Sequence, residues 1–432
     1  MTRKQLINQF VEFISSSPTP FHAVDTIEKV LLENGFSELK EKDRWKLKKE
    51  GKYYIVRGGS SVIAFKIGNR NPAEGGFHVV GAHTDSPALK IKINPEKKMK
   101  NYLSLGVEVY GSPILSTWFD RELSIAGRIS FLGKKNHLDS SLLDFKRPVG
   151  IIPNLAIHLT SKKNEKQDIN KQTELPPLIM QFDPKSTKQT PDFKKLLKIE
   201  MTKQKPEITI SEILDYDLYF YDPQPPARVG FDEEFIAGSR LDNLLSCFVG
   251  LKALVDSESK VAAMLVCNDH EEVGSNSYTG AAGPFLKAVM ERVCVDKEDF
   301  LRTVSQSILI STDNAHGVHP NYQSSHDENH GPILNLGPVV KLNANQRYAT
   351  NSETSAFFRS VCKTAKVPVQ SFINRSDLAC GSTIGPITAT NLGIKTLDIG
   401  APTFAMHSIR ETCGTEDIWY LYESLKKTFE VS

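Results

Sequence analysis

The sequence predicts an α/β fold, a mixed sheet flanked by helices, interrupted by a β-rich insertion. Apolar runs and helical stretches alternate near both ends of the chain, whereas short alternating runs fill the middle. With 432 residues, the chain exceeds the usual size of one hydrophobic core. We therefore expect two domains, an α/β domain formed by residues 1–92 and 234–432 and an insertion formed by residues 93–233.

The amino-terminal part opens with apolar positions at helical spacing over residues 5–35, broken by the turn SSSPTPFH. Three strands are predicted next, in the segments YYIVRG, SVIAFKI and FHVVGAHTD. The α/β pattern resumes with a predicted helix, SRLDNLLSCFVGLKALVDS, which carries one apolar stripe. Strands and helices then alternate to the end of the sequence.

The middle of the chain has a different pattern of apolar and polar residues. The segments YLSLGVEVYG, ILSTWF, LSIAGRISFL and VGIIPNLAIHL favour antiparallel strands. Residues 161–206 are rich in Lys, Gln and Pro, which predicts mostly exposed and partly irregular structure.

Composition excludes several classes of function. A net charge of +2 argues against binding nucleic acid or an anionic membrane through the overall field. The first residues lack the apolar core of a signal peptide, and no stretch approaches the roughly 20 apolar residues of a spanning helix. We therefore expect a cytoplasmic protein. The six cysteines form no CxxC pair, which indicates neither a disulfide framework nor a thiolate metal site.

Two adjacent carboxylates, Glu271 and Glu272, follow the apolar run AAMLVC. If the strand continues through them, their side chains leave on opposite sides of the backbone. One carboxylate is then available to bind a metal while the other faces substrate or water. This division predicts a metallohydrolase with one ligand and one general base.

Other apolar runs end in the same kind of side chain. His83 and Asp85 follow FHVVGA, Asp313 follows SQSILIST, and His407 lies beyond KTLDIGA. Ligands of open α/β sheets gather outside the carboxyl ends of the strands, so we expect these groups to converge. Asp85 is predicted to orient the His83 ring.

Asp242, near the start of its predicted helix, has two interpretations. It is either a first-turn acid favoured by the helix dipole or a carboxylate that bridges two metal ions. The bridge is our candidate, with one ion held by His83, Asp242 and Asp313 and the other by Asp242, Glu272 and His407. Glu271 remains as the base. Nitrogen and oxygen ligands favour zinc, with manganese or cobalt as substitutes.

Several segments resemble the signatures of the aspartyl aminopeptidase family, which is related to vacuolar aminopeptidase. They span nearly the whole chain: GAHTDSPALKIK, GSRLDNL, DHEEVGS, STDNAHGVHPNY, KLNANQRYATN and MHSIRETCG. The resemblance implies a dinuclear zinc-peptidase domain with two ions per subunit. It also implies that the β-rich insertion is a dimerisation domain and that the subunits form a dodecamer built from dimers.

The same resemblance implies the five ligands chosen above, with Glu271 as base. It further implies substrate contacts by His158, His316, Lys341 and Tyr348, with His158 reaching a neighbouring subunit's site. By residue type alone, His158 in an apolar strand is more often a core histidine, and Lys341 is more often a surface lysine. His316 is a candidate substrate contact on either ground.

The expected function is removal of the N-terminal residue from peptides with a free N terminus. Lys341 motivates an expected preference for N-terminal Asp or Glu, because its ammonium is a point charge for a side-chain carboxylate. Three alternatives stay open at this stage: an aminopeptidase for neutral residues, a dinuclear carboxypeptidase or deacylase, and a scaffold with a structural metal.

Overall fold

The computed structural model describes residues 1–159, 168–183, 192–294 and 296–431. Its helices are α1 (Arg3–Ser16), α2 (Pro20–Glu33), α3 (Pro72–Gly75), α4 (Phe193–Gln204), α5 (Leu241–Asp256), α6 (Phe285–Val293), α7 (Lys297–Gln306), α8 (Ser352–Ala365), α9 (Ile384–Leu392) and α10 (Thr415–Glu430). Its strands are β1 (Ser37–Glu38), β2 (Lys52–Arg57), β3 (Ser61–Lys66), β4 (Phe77–His83), β5 (Ala88–Met99), β6 (Tyr102–Tyr110), β7 (Glu122–Leu132), β8 (Leu138–Asp144), β9 (Gly150–Ile151), β10 (Leu178–Gln181), β11 (Glu212–Tyr221), β12 (Ala227–Val229), β13 (Phe235–Gly238), β14 (Ala262–Asn268), β15 (Ile308–Thr312), β16 (Ala315–His316), β17 (Val339–Leu342), β18 (Gln370–Ile373), β19 (Lys395–Gly400), β20 (Pro402–Phe404) and β21 (Glu411–Gly414).

The chain divides into two units. The first comprises residues 1–86, 225–406 and 410–432, and the second comprises residues 87–224 together with 407–409. The division at residue 87 lies six residues before the predicted start of the insertion. All of β5 is in the second unit, because it pairs there with β6 and β11.

The first two helices form where the sequence predicts them. Thr2 and Gln5 make reciprocal capping bonds at the start of α1, and Pro20 occupies the first turn of α2. Both helices bury apolar residues at helical spacing, among them Leu6, Phe10 and Ile27. Their buried faces join the largest apolar core of the first unit.

A nine-stranded mixed sheet dominates the first unit, in the order β1-β2-β3-β14-β4-β15-β19-β17-β18. Its central strands β14, β4, β15 and β19 are parallel, while β3 and β17 run antiparallel to their inner neighbours. The mixed sheet flanked by helices confirms the predicted fold class. A smaller sheet of the same unit has the order β12-β13-β21-β20-β16.

Helix α5 is more deeply buried than its predicted single stripe implies. It packs on β4 and β14 on one side and against α1 and α10 on the other. Both faces therefore carry apolar side chains, and even its small residues are enclosed: Ser246, Cys247 and Gly250 are buried. A helix covered on two sides cannot be recognised from one stripe.

The second unit is a closed antiparallel barrel, which confirms the predicted β-rich insertion. Its strands have the order β11-β5-β6-β10-β9-β7-β8, and an additional pairing of β11 with β7 closes the sheet. Gly127 on β7 has φ of 151° and lies close to the backbone of Asp217 on β11, where a side chain would clash. Leu89, Leu123 and Phe220 fill the interior together with other apolar residues.

Two parts of the insertion differ from prediction. The end of VGIIPNLAIHL is not a strand, because residues 157–159 form a 3₁₀ turn without buried side chains. Within the segment predicted as irregular, α4 is a regular helix that buries Phe193, Leu197 and Met201 at four-residue spacing. Residues 160–167 and 184–191 lie outside the described residues. None of the described helices combines the length and apolar character needed to span a bilayer.

Candidate metal centre

The candidate site lies at the carboxyl ends of the central parallel strands. Strand β4 ends at His83, β15 ends one residue before Asp313, and β14 ends three residues before Glu271. Because these strands are parallel neighbours, their carboxyl ends meet at one edge of the sheet. The predicted convergence of His83, Asp85, Asp242, Glu271, Glu272 and Asp313 is therefore what the fold produces within the first unit.

The buried imidazole of His83 is at the centre of the cluster. Its Nε2 lies 3.5 Å from Asp242 Oδ1, 3.8 Å from Asp313 Oδ1 and 3.9 Å from Glu271 Oε2. Its Nδ1 lies 3.1 Å from the backbone O of Asp85, and we assign the proton to that nitrogen. In the neutral ring that binds a metal, the lone pair of Nε2 would then point toward the carboxylates.

Asp85 lies beside the His83 ring and also holds the glutamate turn. Its backbone O is 3.1 Å and its carboxylate Oδ1 is 3.5 Å from His83 Nδ1. The carboxylate also accepts the backbone N–H groups of Glu271, at 3.1 Å, and Glu272, at 3.0 Å. Asp85 therefore connects the end of β4 to the segment that carries both glutamates.

The prediction that Glu271 and Glu272 continue a strand is wrong. Strand β14 ends at Asn268, and His270 adopts a left-handed conformation with φ of 64°. The glutamates follow in a 3₁₀ turn, Glu271–Val273. A side-chain bond of 2.8 Å joins His270 Nδ1 to Ser277 Oγ and closes the loop. The two carboxylates are thus placed by the turn and not by strand alternation.

Asp242 is not an ordinary first-turn acid, because its φ and ψ of −83° and 109° are not helical. Its backbone is held on both sides: the N–H donates to Glu411 Oε2 at 2.8 Å, and the O accepts from Ser86 Oγ at 2.6 Å. The next residue, Asn243, donates through Nδ2 to the O of Thr312 at 2.8 Å. These tethers place the Asp242 carboxylate beside His83 before α5 begins its regular turns.

The electrostatics of the cluster follow from burial and crowding. Burial raises the pKa of Glu271 to about 8, and nearby Asp313, Asp85 and Asp242 add to the rise against the opposing effect of His83. Burial also raises the pKa of Glu272. Burial alone would lower the pKa of His83, but Glu271 and the other surrounding carboxylates raise it well above its usual value. Such concentrated negative charge is suited to a divalent cation.

The donor set and its spacing fit a metal ion. His83, Asp242 and Glu272 each offer one ligand atom, and these atoms lie within 4.8 Å of one another. Imidazole nitrogen and carboxylate oxygen are both zinc ligands. This group and the group formed by His83, Asp242 and Asp313 have His83 and Asp242 in common. A shared carboxylate is what two neighbouring ions require.

Three residues predicted to contact substrate, Lys341, Tyr348 and His316, have defined neighbours in the first unit. Lys341 on β17 is buried, with Nζ 3.8 Å from Asp313 Oδ2 and 5.0 Å from the centre of the Tyr348 ring. Lys341 is thus not a surface lysine. Burial opposes ionisation of Asp313, but Lys341 and His83 outweigh it and lower the pKa of that carboxyl. His316 on β16 is exposed, and its ring and that of Tyr348 both lie beside Phe372.

Two predicted site residues belong to the second unit. His158 lies in the 3₁₀ turn Ile157–Leu159 and is exposed, so it is not a core histidine of an apolar strand. His407 has a left-handed φ of 68°, and its Nδ1 is 3.0 Å from the O of Ser112. That bond leaves Nε2 as the ring nitrogen for a ligand. The roles of both histidines stay predictions.

Sequence reasoning missed two buried acids near the cluster, Glu411 and Asp398. Glu411 accepts the N–H of Asp242, and Asp398 accepts bonds from two loops beside Lys341. A signal was present for Asp398, which is an acid inside the apolar run KTLDIGA. An acid at such a position is rarely buried without partners. Glu411 gave no comparable signal, because its neighbours Arg410 and Thr412 are polar and it interrupts no apolar run.

Comparison with known proteins agrees with this geometry. The sequence matches the family described as Aminopeptidase I zinc metalloprotease (M18) over residues 13–429. The chain belongs to the M18 aminopeptidase family. A probable M18 family aminopeptidase 2 of Pseudomonas fluorescens (strain SBW25) is 51% identical over 98% of this chain and 97% of its own length. A relative with the same description from Pseudomonas aeruginosa (strain UCBPP-PA14) is 52% identical over the same shares.

Solved structures show the same fold. A chain of the Ape4 and Nbr1 complex superposes with a TM-score of 0.95 at 38% identity, covering 99% of this chain and 86% of that one. The mApe1 dodecamer of S. cerevisiae gives a TM-score of 0.85 at 28% identity, covering 99% and 96%. This M18 protein is accordingly a zinc metalloaminopeptidase that acts on peptides. The assignment removes the carboxypeptidase, deacylase and scaffold alternatives.

Proposed function

We propose that this M18 enzyme holds two zinc ions and removes N-terminal Asp or Glu from peptides. The observation that carries the dinuclear part is the position of His83 Nε2, within 4 Å of carboxylates from three separate segments. Asp242 is common to both groups of ligand atoms. More negative charge is collected there than one divalent ion neutralises.

The proposed ligands are the five that the sequence predicts. His83, Asp242 and Asp313 hold one ion, and Asp242, Glu272 and His407 hold the other. When bound, the ions polarise the scissile carbonyl and lower the pKa of the attacking water toward about 7. Manganese and cobalt are substitutes that the same nitrogen and oxygen donors accept.

Glu271 is the proposed general base. Its carboxylate belongs to the cluster, yet the proposed coordination does not use it. The carboxylate takes the proton of the attacking water and returns it to the leaving nitrogen. Asp85 assists by holding the backbone of the Glu271 turn.

The acidic preference rests on Lys341. Its buried ammonium lies beside the cluster, and its Nζ approaches only one carboxylate oxygen among the described ion pairs, Asp313 Oδ2 at 3.8 Å. When Asp313 binds a cation, its charge is shared and Lys341 becomes available to a substrate carboxylate. Tyr348 and His316 complete the proposed contacts around that side chain.

The assembly proposed for this chain is a dodecamer built from dimers. The mApe1 relative forms a dodecamer, and the barrel unit exposes apolar side chains, among them Met99, Leu155 and Leu159. Exposed His158 directly precedes Leu159 in the chain. We propose that it reaches the site of a neighbouring subunit.

The decisive experiment measures zinc content and turnover together. Protein stripped with chelator is reconstituted with zinc and assayed on a matched pair of aspartyl and leucyl peptides, each with a free and an acetylated N terminus. We expect two zinc ions per chain, cleavage of the aspartyl peptide at least about 10-fold faster in kcat/KM, and no cleavage of either acetylated peptide. Equal rates on both free peptides would remove the acidic preference and leave a neutral-residue aminopeptidase. One zinc per chain at full activity would remove the dinuclear site.

A further inference from the structure

Asp398 is a buried acid of the first unit that the proposed chemistry does not use. It lies on β19 and is fully enclosed. In the sheet it is the direct partner of Lys341 on the antiparallel strand β17. Directly opposed residues place their side chains on the same face, about 5 Å apart at Cβ. The Asp398 carboxylate therefore belongs to the layer of side chains that carries Lys341.

Two loops converge on this carboxylate. Oδ2 accepts the backbone N–H of Ala349 at 2.6 Å, and Oδ1 accepts the hydroxyl of Thr383 at 2.5 Å. The backbone of Asp398 adds a third bond, because its N–H donates to Thr350 Oγ1 at 2.8 Å. Two consecutive residues, Ala349 and Thr350, are thus both hydrogen-bonded to Asp398.

The two loops are also joined to each other. Arg347 Nε donates to the O of Cys380 and of Gly381 at 3.3 Å, and Ser382 Oγ donates to the O of Arg347 at 3.2 Å. Tyr348 lies between these bonds and those of Asp398. The chain is therefore held on both sides of Tyr348, which fixes the backbone position from which its ring extends.

Helix α9 also abuts the carboxylate. Thr383 caps the amino terminus of this nine-residue helix, and a Cβ added at Gly385 would overlap the Asp398 carboxyl oxygens. The amino end of a helix favours a negative group. Glycine at position 385 is therefore required for the close approach.

The geometry points to Asp398 as a positioning residue for substrate binding, one that holds Tyr348 through Ala349 and so fixes the surroundings of Lys341. The inference rests on the proposed role of Lys341 and Tyr348 as substrate contacts. Asp398 itself touches neither substrate nor metal. Its loss should consequently change substrate affinity and leave metal content intact.

The test compares D398A and D398N with wild type in kcat, KM, zinc content and melting temperature, using the aspartyl peptide. We expect D398A to raise KM about 10-fold or more, with a smaller fall in kcat and unchanged zinc. D398N should restore KM to within about threefold, because the amide oxygen can accept from Ala349 while its NH₂ donates to the Thr383 hydroxyl.

The matched control is D417A. Asp417 also accepts two backbone N–H groups, from Asn335 at 2.6 Å and Gly337 at 2.9 Å, but these precede the opposite end of β17. We expect D417A to lower the melting temperature without raising KM. A wild-type KM in D398A, an equal rise in D417A, or a D398N as impaired as D398A would each overturn the inference.

Two further variants keep the outcome decisive. If D398A does not fold, G385A decides, because its methyl group displaces the carboxylate; a raised KM supports the inference and a wild-type KM refutes it. K341M distinguishes failure of the proposed Lys341 substrate contact from failure of the positioning role of Asp398. If K341M leaves KM unchanged, the proposed substrate contact fails; if it raises KM while D398A does not, only the role of Asp398 fails.

Discussion

The carboxylate of Asp85 accepts the backbone N–H of Glu271 through Oδ1, and its second oxygen accepts the N–H of Glu272. One acid at the end of β4 thereby sets the position of both the proposed base and a proposed ligand. The side chain is fully buried, so no water replaces these bonds easily. Asp85 acts on the chemistry through the backbone of the turn.

We predict that D85A lowers kcat/KM by about 100-fold or more, because both N–H groups lose their acceptor and the turn relaxes. Zinc should bind more weakly as well, since Glu272 moves with the turn. Steady-state kinetics and a zinc titration measure the two effects. D417A is the control, as it also deprives two backbone N–H groups of a buried carboxylate. Similar losses in both variants would mean that general destabilisation is responsible.

Much of the site could be predicted from the sequence, because several of its residues lie at the ends of strands. His83 and Asp313 come directly at or after strands whose apolar runs are unmistakable, and parallel neighbours bring their ends together. The first two helices and the strands β2, β3 and β4 were equally clear, since burial of one face imposes its periodicity on the sequence.

The remainder depends on contacts between distant parts of the chain. The turn at Glu271 requires a left-handed His270 and the bonds from Asp85, neither of which leaves a local pattern. The irregular start of α5 at Asp242 is imposed by Glu411, which lies 169 residues away. The residue types around His158 gave no sign of its exposure either, because its apolar neighbours resemble a strand but face outward, and only the family resemblance implied an accessible histidine.

Glu411 supplies a second prediction. It holds the backbone N–H of Asp242, the proposed bridge between the ions. E411A should weaken zinc binding by about 10- to 100-fold, because the backbone of Asp242 loses its acceptor and the Asp242 carboxylate is no longer held in position. E411Q keeps an acceptor oxygen and should remain close to wild type. A competition titration against a chelator measures both, and equal affinities in wild type and E411A would show that Glu411 does not position the bridge.

A third prediction concerns pH and stability and is independent of the metal. Lys66 is buried against the end of α5, where Nζ donates to the O of Val255 and Ser257 at 3.1 and 2.8 Å. Burial, helped by Lys52, lowers the pKa of Lys66 from 10.5 to about 8. Between these values the unfolded chain binds more protons than the folded one, so stability rises with pH.

The expected rise from Lys66 is up to about 1.4 kcal/mol for each pH unit between pH 8 and pH 10.5. K66M cannot titrate, and its free energy of unfolding should change less with pH over this range. Denaturant unfolding at pH 8, 9 and 10 gives the comparison. K29M, which alters an exposed lysine paired with Asp25, serves as control and should follow wild type. Parallel curves for K66M and wild type would contradict the assignment.

The last prediction separates the two adjacent glutamates. E271Q keeps the size of the side chain but cannot take a proton from water, so kcat should fall by about 10² to 10⁴ while zinc content and KM stay near wild type. E272Q removes a charged ligand and should lose zinc as well as activity. The two substitutions are chemically identical and lie in the same 3₁₀ turn. A difference in zinc content between E271Q and E272Q therefore reports different roles for the two glutamates. An E271Q enzyme with near wild-type turnover would exclude Glu271 as the base, and an E272Q enzyme that retains both ions would exclude Glu272 as a ligand.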